Sequence, residues 1–227
     1  VAVDEEFYKG AQVWGVGSRL YGLETPESDY DYVGVSYSRE KIVDPLTSSD
    51  DTYTRDQNVL HTASKFAKLI AVGNPNVLDL LNHKPLQSET FVANLVAVTQ
   101  PHAVTQLTLS SYLGYLYDQR QRGYKQSSKH GVRPEHETLG YDPKYMMHFF
   151  RLVITLKGIL ETGSYHYLQE HERGFLRTVR SGSLPVSEVI PLADKLIAEV
   201  DKADITTFPD GTVLKKVIRD YFIAEVR

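Results

Sequence analysis

All of the strand-like patterning in this chain falls before about residue 60, and all of its strong helical patterning falls after. Strands gathered first and helices afterwards define an α+β architecture. Residues 11–16 read as a short strand that ends at Gly17-Ser18. Ser18 is a natural N-cap for a short helix over residues 19–23, because its hydroxyl can accept from the orphan amides of a first turn. Residues 24–28 have loop chemistry, and Pro26 blocks any continued helix. Residues 29–37 alternate polar and apolar in their first half, as a strand with Asp29 and Asp31 on one face would. One more strand is expected between Thr52 and Leu60. Helices are then expected over residues 63–72, 77–81, 90–98, 107–120, 142–161, 186–203 and 211–226. The stretch 119–141 is polar, contains Gly, Ser and Pro, and carries Arg120, Arg122, Lys125, Lys129 and Arg133; it reads as a loop. The expected organisation is an αβ core over residues 1–85 and a helical domain over residues 86–227, with a soft boundary between them.

Composition excludes several classes of function. With no cysteine there is no disulfide framework, thiolate metal site or cysteine nucleophile. A chain of 227 residues buries enough apolar surface to fold without such staples. Its longest apolar runs, such as residues 152–156, are far short of a membrane span, so no membrane partner is expected. Asp4, Glu5 and Glu6 stand where a signal peptide needs a basic region, and a cytoplasmic protein is the simplest expectation. The chain opens on Val1, as a fragment or a processed product would. A formal net charge of −4 argues against broad, sequence-independent binding of long nucleic acid but leaves room for a local basic site.

The chemistry is concentrated in the N-terminal pieces. A strand delivers Gly17-Ser18 at the start of a helix, and a neighbouring strand then delivers Asp29-Tyr30-Asp31. Glycine lets a phosphate approach the backbone, a helix start offers free amides, and serine adds a hydroxyl donor. Two aspartates at i and i+2 on a strand point to one side, so both carboxylates can grip one hard cation. Without a cation they repel each other. Such a pair beside a phosphate cradle suggests two-metal phosphoryl chemistry.

These residues resemble the signature of the DNA polymerase β-like nucleotidyltransferase superfamily. The longer run from Gly17 to Val35, GSRLYGLETPESDYDYVGV, is similar to the bacterial and phage family of "predicted nucleotidyltransferases". The resemblance continues through Lys65-Phe66, Gly73-Asn74-Pro75-Asn76, Tyr141-Asp142 with Lys144, His148 and Arg151-Leu152, and Glu161-Thr162-Gly163. It implies a small mixed sheet with flanking helices, followed by a mainly helical C-terminal half. It also implies transfer of a nucleoside monophosphate from an NTP, release of pyrophosphate, and two Mg2+ ions for which Mn2+ can substitute. The superfamily needs a third carboxylate on a later strand. Asp56 falls about where it belongs, although its spacing to Lys65 is one residue long; Asp50, Asp51 and His61 are the alternatives. The implied catalytic and metal-binding set is therefore Asp29, Asp31 and Asp56.

A second cluster, Lys144, His148 and Arg151, lies at i, i+4 and i+7 on one expected helix and so shares a face. Such a face suits a triphosphate, with Arg151 offering a bidentate fork. The expected nucleotide-binding set is Gly17, Ser18, Lys144, His148 and Arg151.

Each feature also has a plainer explanation. Asp-x-Asp is commonly a solvated edge strand, the Lys144 face can be an ordinary polar helix face, and Trp14 is expected in the core. His130 with His136, and His166 with His171, lack companions at zinc spacing and read as structural or solvent-exposed. Two rival functions stand beside the main one: a template-independent RNA-end transferase, and a non-catalytic nucleotide-binding regulator or antitoxin-like protein on the same fold. The acceptor (RNA, protein or small molecule) and the oligomeric state are not written in the sequence.

Overall fold

The structure, a computed structural model, describes residues 3–26, 28–37, 44–47, 51–125 and 139–226. The chain divides into two compact units, residues 1–108 with 208–227 and residues 109–207.

The first unit holds a four-stranded mixed sheet, in keeping with the α+β class. Strands β1 (Ala11–Val16) and β2 (Asp31–Ser36) are antiparallel, while β3 (Thr52–Arg55) and β4 (Asn58–Thr62) form a hairpin. β4 runs parallel to β2, giving the order β1-β2-β4-β3. Two strand expectations need correction. β2 begins at Asp31, so Asp29 lies in the loop ahead of it rather than in the strand. There the backbone is committed to a turn: the Ser28 amide donates to the Thr25 carbonyl at 3.0 Å, and the Thr25 amide donates to Ser28 Oγ at 2.8 Å. The single strand expected between Thr52 and Leu60 is two strands, folded back at Asp56 and Gln57. Asp56 takes φ 53°, a left-handed conformation that aspartate tolerates and that short hairpin turns select.

One face of the sheet carries a cluster of Tyr8, Ala11, Val13 and Tyr32, with Phe7, Val3 and Leu60 packed against it. Gly34 is part of this packing, because a Cβ there would stand 2.4 Å from the Tyr8 ring. On the opposite face the fully buried Trp14 packs at 5.8 Å, centroid to centroid, on Phe66 of helix α1 (Ala63–Ala71). The free edge of β1 is covered by the chain itself: the Val13 amide donates to the Gln87 carbonyl at 2.9 Å and the Leu86 amide to the Val13 carbonyl at 2.7 Å. Helix α2 (Pro75–Asn82) starts with Pro75 at its first position and Asn74 as its cap, whose Oδ1 accepts from the amides of Asn76 and Val77. Helix α3 (Thr90–Thr99) and the last helix, α8 (Thr212–Val226), complete this unit, and Tyr221 of α8 donates to the Phe91 carbonyl at 2.8 Å.

The short helix after β1 is a 3₁₀ turn over Gly17–Tyr21, closed by Gly22 in the left-handed region. Val16 occupies its cap position and no side chain caps it, so the expected capping role of Ser18 is not what the structure shows.

Helix α4 (Gln106–Lys125) runs from the first unit into the second. It passes the expected end at residue 120 because i,i+4 pairs support its polar last turns. Arg122 Nε donates to Asp118 at 3.0 Å and Arg120 Nε to the Tyr124 hydroxyl at 3.1 Å. Of the stretch expected to be a loop, residues 119–125 are thus helical, and residues 126–138, with Lys129, His130, Arg133 and His136, lie outside the described residues. Helix α5 (Pro143–Thr162) is capped by Asp142, which accepts from the Lys144 amide at 2.8 Å, and is the buried helix of the second unit. Met146, Met147, Phe149, Phe150, Leu152, Val153, Leu156 and Ile159 leave it apolar on most sides. Helix α6 (Glu170–Arg180), which no sequence pattern announced, packs on α5, as does α7 (Val186–Val200). Among the described residues no helix is long and apolar enough to cross a membrane.

Candidate active site

The pairing of Val16 with Asp31 sets the head of β2 beside the end of β1, so Gly17 comes immediately against it. A Cβ placed on Gly17 would lie 2.8 Å from Asp31 Oδ2. The carboxylate therefore occupies the space that any other side chain at position 17 would need. Gly17 also has φ +69°, where a residue with a Cβ is disfavoured. Two independent constraints thus put glycine at this point.

The 3₁₀ turn that follows is anchored on both sides. Ser18 Oγ donates to Ser28 Oγ at 3.2 Å. Arg19 Nη2 donates to the Ser28 carbonyl at 2.9 Å and Arg19 Nε to the Asp29 carbonyl at 3.2 Å, and its guanidinium lies 3.6 Å over the Tyr30 ring. In the other direction Tyr21 donates to the fully buried Asp79 of α2 at 2.5 Å. His83, whose Nδ1 lies 2.8 Å from the Asp79 carbonyl, accepts the Trp14 indole N–H on its own carbonyl at 3.0 Å. Asp29 is exposed on the loop two residues before Asp31, and its carbonyl is held by Arg19 of the 3₁₀ turn. The structure thus brings Gly17, Ser18, Asp29 and Asp31 into one neighbourhood.

The candidates for the third carboxylate are separated by the parallel register of β2 and β4. Tyr32 pairs with Asn58, so the turn at Asp56 and Gln57 lies at the end of the sheet where Asp31 begins β2. His61 pairs with Val35, four residues along the strand from Asp31 or about 13 Å. Its Nδ1 is engaged with Thr52 Oγ1 at 2.9 Å, and burial, followed by the charge of Lys65, holds its pKa below the ordinary histidine value. Asp51 is also at that far end, its carbonyl accepting from the Thr62 amide at 3.2 Å. Asp50 lies outside the described residues. Asp56 is therefore the acidic alternative at the right end, but it is exposed on a turn. Among the described residues no group of three or more acidic or histidine side chains stands ready to hold a metal ion. The carboxylate that the structure sets against Gly17 is that of Asp31, a hard oxygen donor of the kind a divalent cation takes.

In the second unit Lys144, His148 and Arg151 follow one face of α5 from solvent inward: Lys144 is exposed, His148 half-buried and Arg151 only 4% exposed. Burial pushes the His148 pKa down to about 3, assisted by the positive charges of Arg151, Lys144 and Arg180. Arg180, at the end of α6, is the member that sequence reasoning missed; only the packing of α6 on α5 brings its charge to bear, and no local spacing encodes it.

His148 is accordingly neutral at pH 7 when no anion is bound. Between its ordinary value of 6.5 and about 3, the unfolded chain holds a proton that the folded chain refuses. The residue therefore withdraws stability as pH falls through that window, by at most about 1.4 kcal/mol per pH unit, and contributes nothing above it. His148→Gln is expected to flatten this part of the acid limb in denaturant melts from pH 7 to 4. An unchanged limb would contradict the assignment.

Residues 13–181 match the family described as "RNA repair pathway DNA polymerase beta family". The chain is also 32% identical, over 132 residues, to the Enterobacteria phage T4 protein named "Uncharacterized 38.9 kDa protein in nrdC-mobD intergenic region". That alignment covers 52% of this chain and 37% of the phage protein. No solved structure matches. The chain belongs to the RNA repair pathway DNA polymerase beta family, a family of polymerase β-like nucleotidyltransferases.

Proposed function

We propose, from that membership and from the geometry at Gly17, that this chain is a metal-dependent nucleotidyltransferase. It moves a nucleoside monophosphate from an NTP to an acceptor and releases pyrophosphate. The observation that carries the proposal is the Asp31 carboxylate set against a glycine that follows β1, with Asp29 two residues away. The acceptor that the family's description favours is the end of an RNA strand. A strand end needs few phosphate contacts, so the net charge of −4 is no obstacle.

In this account the backbone at Gly17 and the hydroxyl of Ser18 meet the nucleotide phosphates, and Ser18 shares its hydroxyl with Ser28. Asp29 and Asp31 hold Mg2+, or Mn2+ in its place, and Asp56 is the proposed third donor for a two-ion site. A cation bound there supplies charge neutralisation at the phosphate being transferred. The acceptor hydroxyl gives up its proton to solvent and attacks the α-phosphorus in line; its oxygen–phosphorus bond forms as the bond to the bridging oxygen of pyrophosphate breaks. The protein's share is mainly orientation and fixed charge. Lys144, His148 and Arg151, in the second unit, are proposed as a phosphate-binding face of that unit, of which Lys144 is the accessible member.

A second reading, a nucleotide-binding regulator without catalysis, is favoured by one observation: no third acidic side chain completes a metal-binding group among the described residues. One experiment separates the two. Each α-labelled NTP is incubated with Mg2+ or Mn2+ and separate pools of RNA, protein and small metabolites. Label in RNA, absent with Asp29→Asn/Asp31→Asn, is the expected result. Label in another pool moves the acceptor, and no label despite measurable NTP binding favours the regulator.

A further inference from the structure

Arg19 follows Ser18 in the 3₁₀ turn and holds three consecutive residues of the loop before β2. Its Nη2 donates to the Ser28 carbonyl at 2.9 Å, its Nε donates to the Asp29 carbonyl at 3.2 Å, and its plane covers the Tyr30 ring at 3.6 Å. The Ser18–Ser28 hydroxyl contact at 3.2 Å lies beside it. These contacts tie the turn that presents Gly17 to the loop that presents Asp29. The need for such a tie follows from the fold. Asp31 is fixed by its place in β2, opposite Val16. Asp29 lies outside the strand, exposed, and gains no ladder hydrogen bonds that would fix its direction. Two neighbouring carboxylates also repel, which drives an untethered loop outward.

We propose that Arg19 is a positioning residue for nucleotidyl transfer: its guanidinium holds the Ser28 and Asp29 carbonyls and the Tyr30 ring, and so fixes the loop from which Asp29 works with Asp31. The inference rests on the nucleotidyltransferase reading above. It assigns Arg19 no contact with substrate. The planar fork is the working part, since a lysine keeps the charge but cannot span two carbonyls while stacking on an aromatic ring.

The test uses the full chain as wild type, Arg19→Ala, Arg19→Lys and Asp29→Asn/Asp31→Asn. It records kcat and NTP KM for transfer, the Mn2+ concentration for half-maximal rate, and amide exchange over residues 23–30. Arg19→Ala is expected to speed exchange in that segment and to lower kcat by about a hundredfold, the size of effect that a misplacement of about 1 Å produces. It should raise the Mn2+ requirement while leaving NTP KM within about threefold. Arg19→Lys should recover little of the loss.

Full recovery by lysine would show that charge alone matters and would overturn the clamp. So would unchanged exchange, unchanged kcat, or a kcat loss at an unchanged Mn2+ requirement. Because Arg19→Lys preserves charge and bulk, it also answers for any failure of the alanine variant to fold. An active wild type with an unaffected Arg19→Ala overturns this inference alone. A wild type that transfers nothing overturns the proposed function and takes the inference with it.

Discussion

Replacing Asp31 by asparagine is expected to slow nucleotidyl transfer by about a thousandfold, the scale at which removal of one preorganised charged or polar group from a reacting centre is felt. Asparagine keeps the shape that fills the space over Gly17 and removes only the charge, so the variant isolates the role of the carboxylate. Folding should barely notice, and thermal melts should stay close to those of the wild type. Asp29→Asn should act in the same direction, and the double variant should abolish transfer. Steady-state rates with saturating NTP and cation check the effect. A double variant with unaltered turnover would show that the chemistry lies elsewhere.

Gly17→Ala is expected to separate function from stability in a different way. The added methyl group would lie 2.8 Å from Asp31 Oδ2 and 3.8 Å from its Cγ. Such a clash is relieved by rotation of the Asp31 side chain, whose far end is the obstructing atom. Rotation, however, carries the carboxylate away from its working direction. The stability loss is then mainly the cost of alanine at φ +69°, about 1–2 kcal/mol, while transfer falls by about a hundredfold or more. Denaturant midpoints and kcat, measured on the same preparation, test both halves. Activity close to wild type would mean that Asp31 does not need its observed orientation.

What the sequence disclosed and what it concealed divide along physical lines. β1 and the αβ-then-α order were legible because they depend on local patterning. So were the ends of α5, where Asp142 caps one end and Gly163 closes the other in the left-handed region. The departure of Asp29 from the strand was not legible, since it follows from hydrogen bonds that Ser28 and Arg19 make across the turn. The position of Asp56 depends on a hairpin whose turn residues look like strand continuation in a one-dimensional pattern. α6 was hidden by its polarity: its start is set by reciprocal capping between Gln169 and Glu172 rather than by an apolar run, and it contains Gly174, a residue of low helix propensity. With α6 hidden, Arg180 was hidden too. The last turns of α4 read as loop for the same reason: the Arg122–Asp118 ion pair and the Arg120–Tyr124 hydrogen bond support them in place of an apolar run. The return of α8 to the unit of the sheet rests on long-range contacts, such as Tyr221 with Phe91, that no local pattern records.

The measurement that bears most directly on the central claim is a paired transfer assay with α-labelled and γ-labelled NTP, an RNA acceptor and Mn2+ or Mg2+, in wild type and Asp29→Asn/Asp31→Asn. Wild type is expected to move the α label into RNA and release the γ label as pyrophosphate, and the double variant is expected to do neither. Transfer of the γ label, or α-label incorporation that survives in the double variant, would contradict that claim.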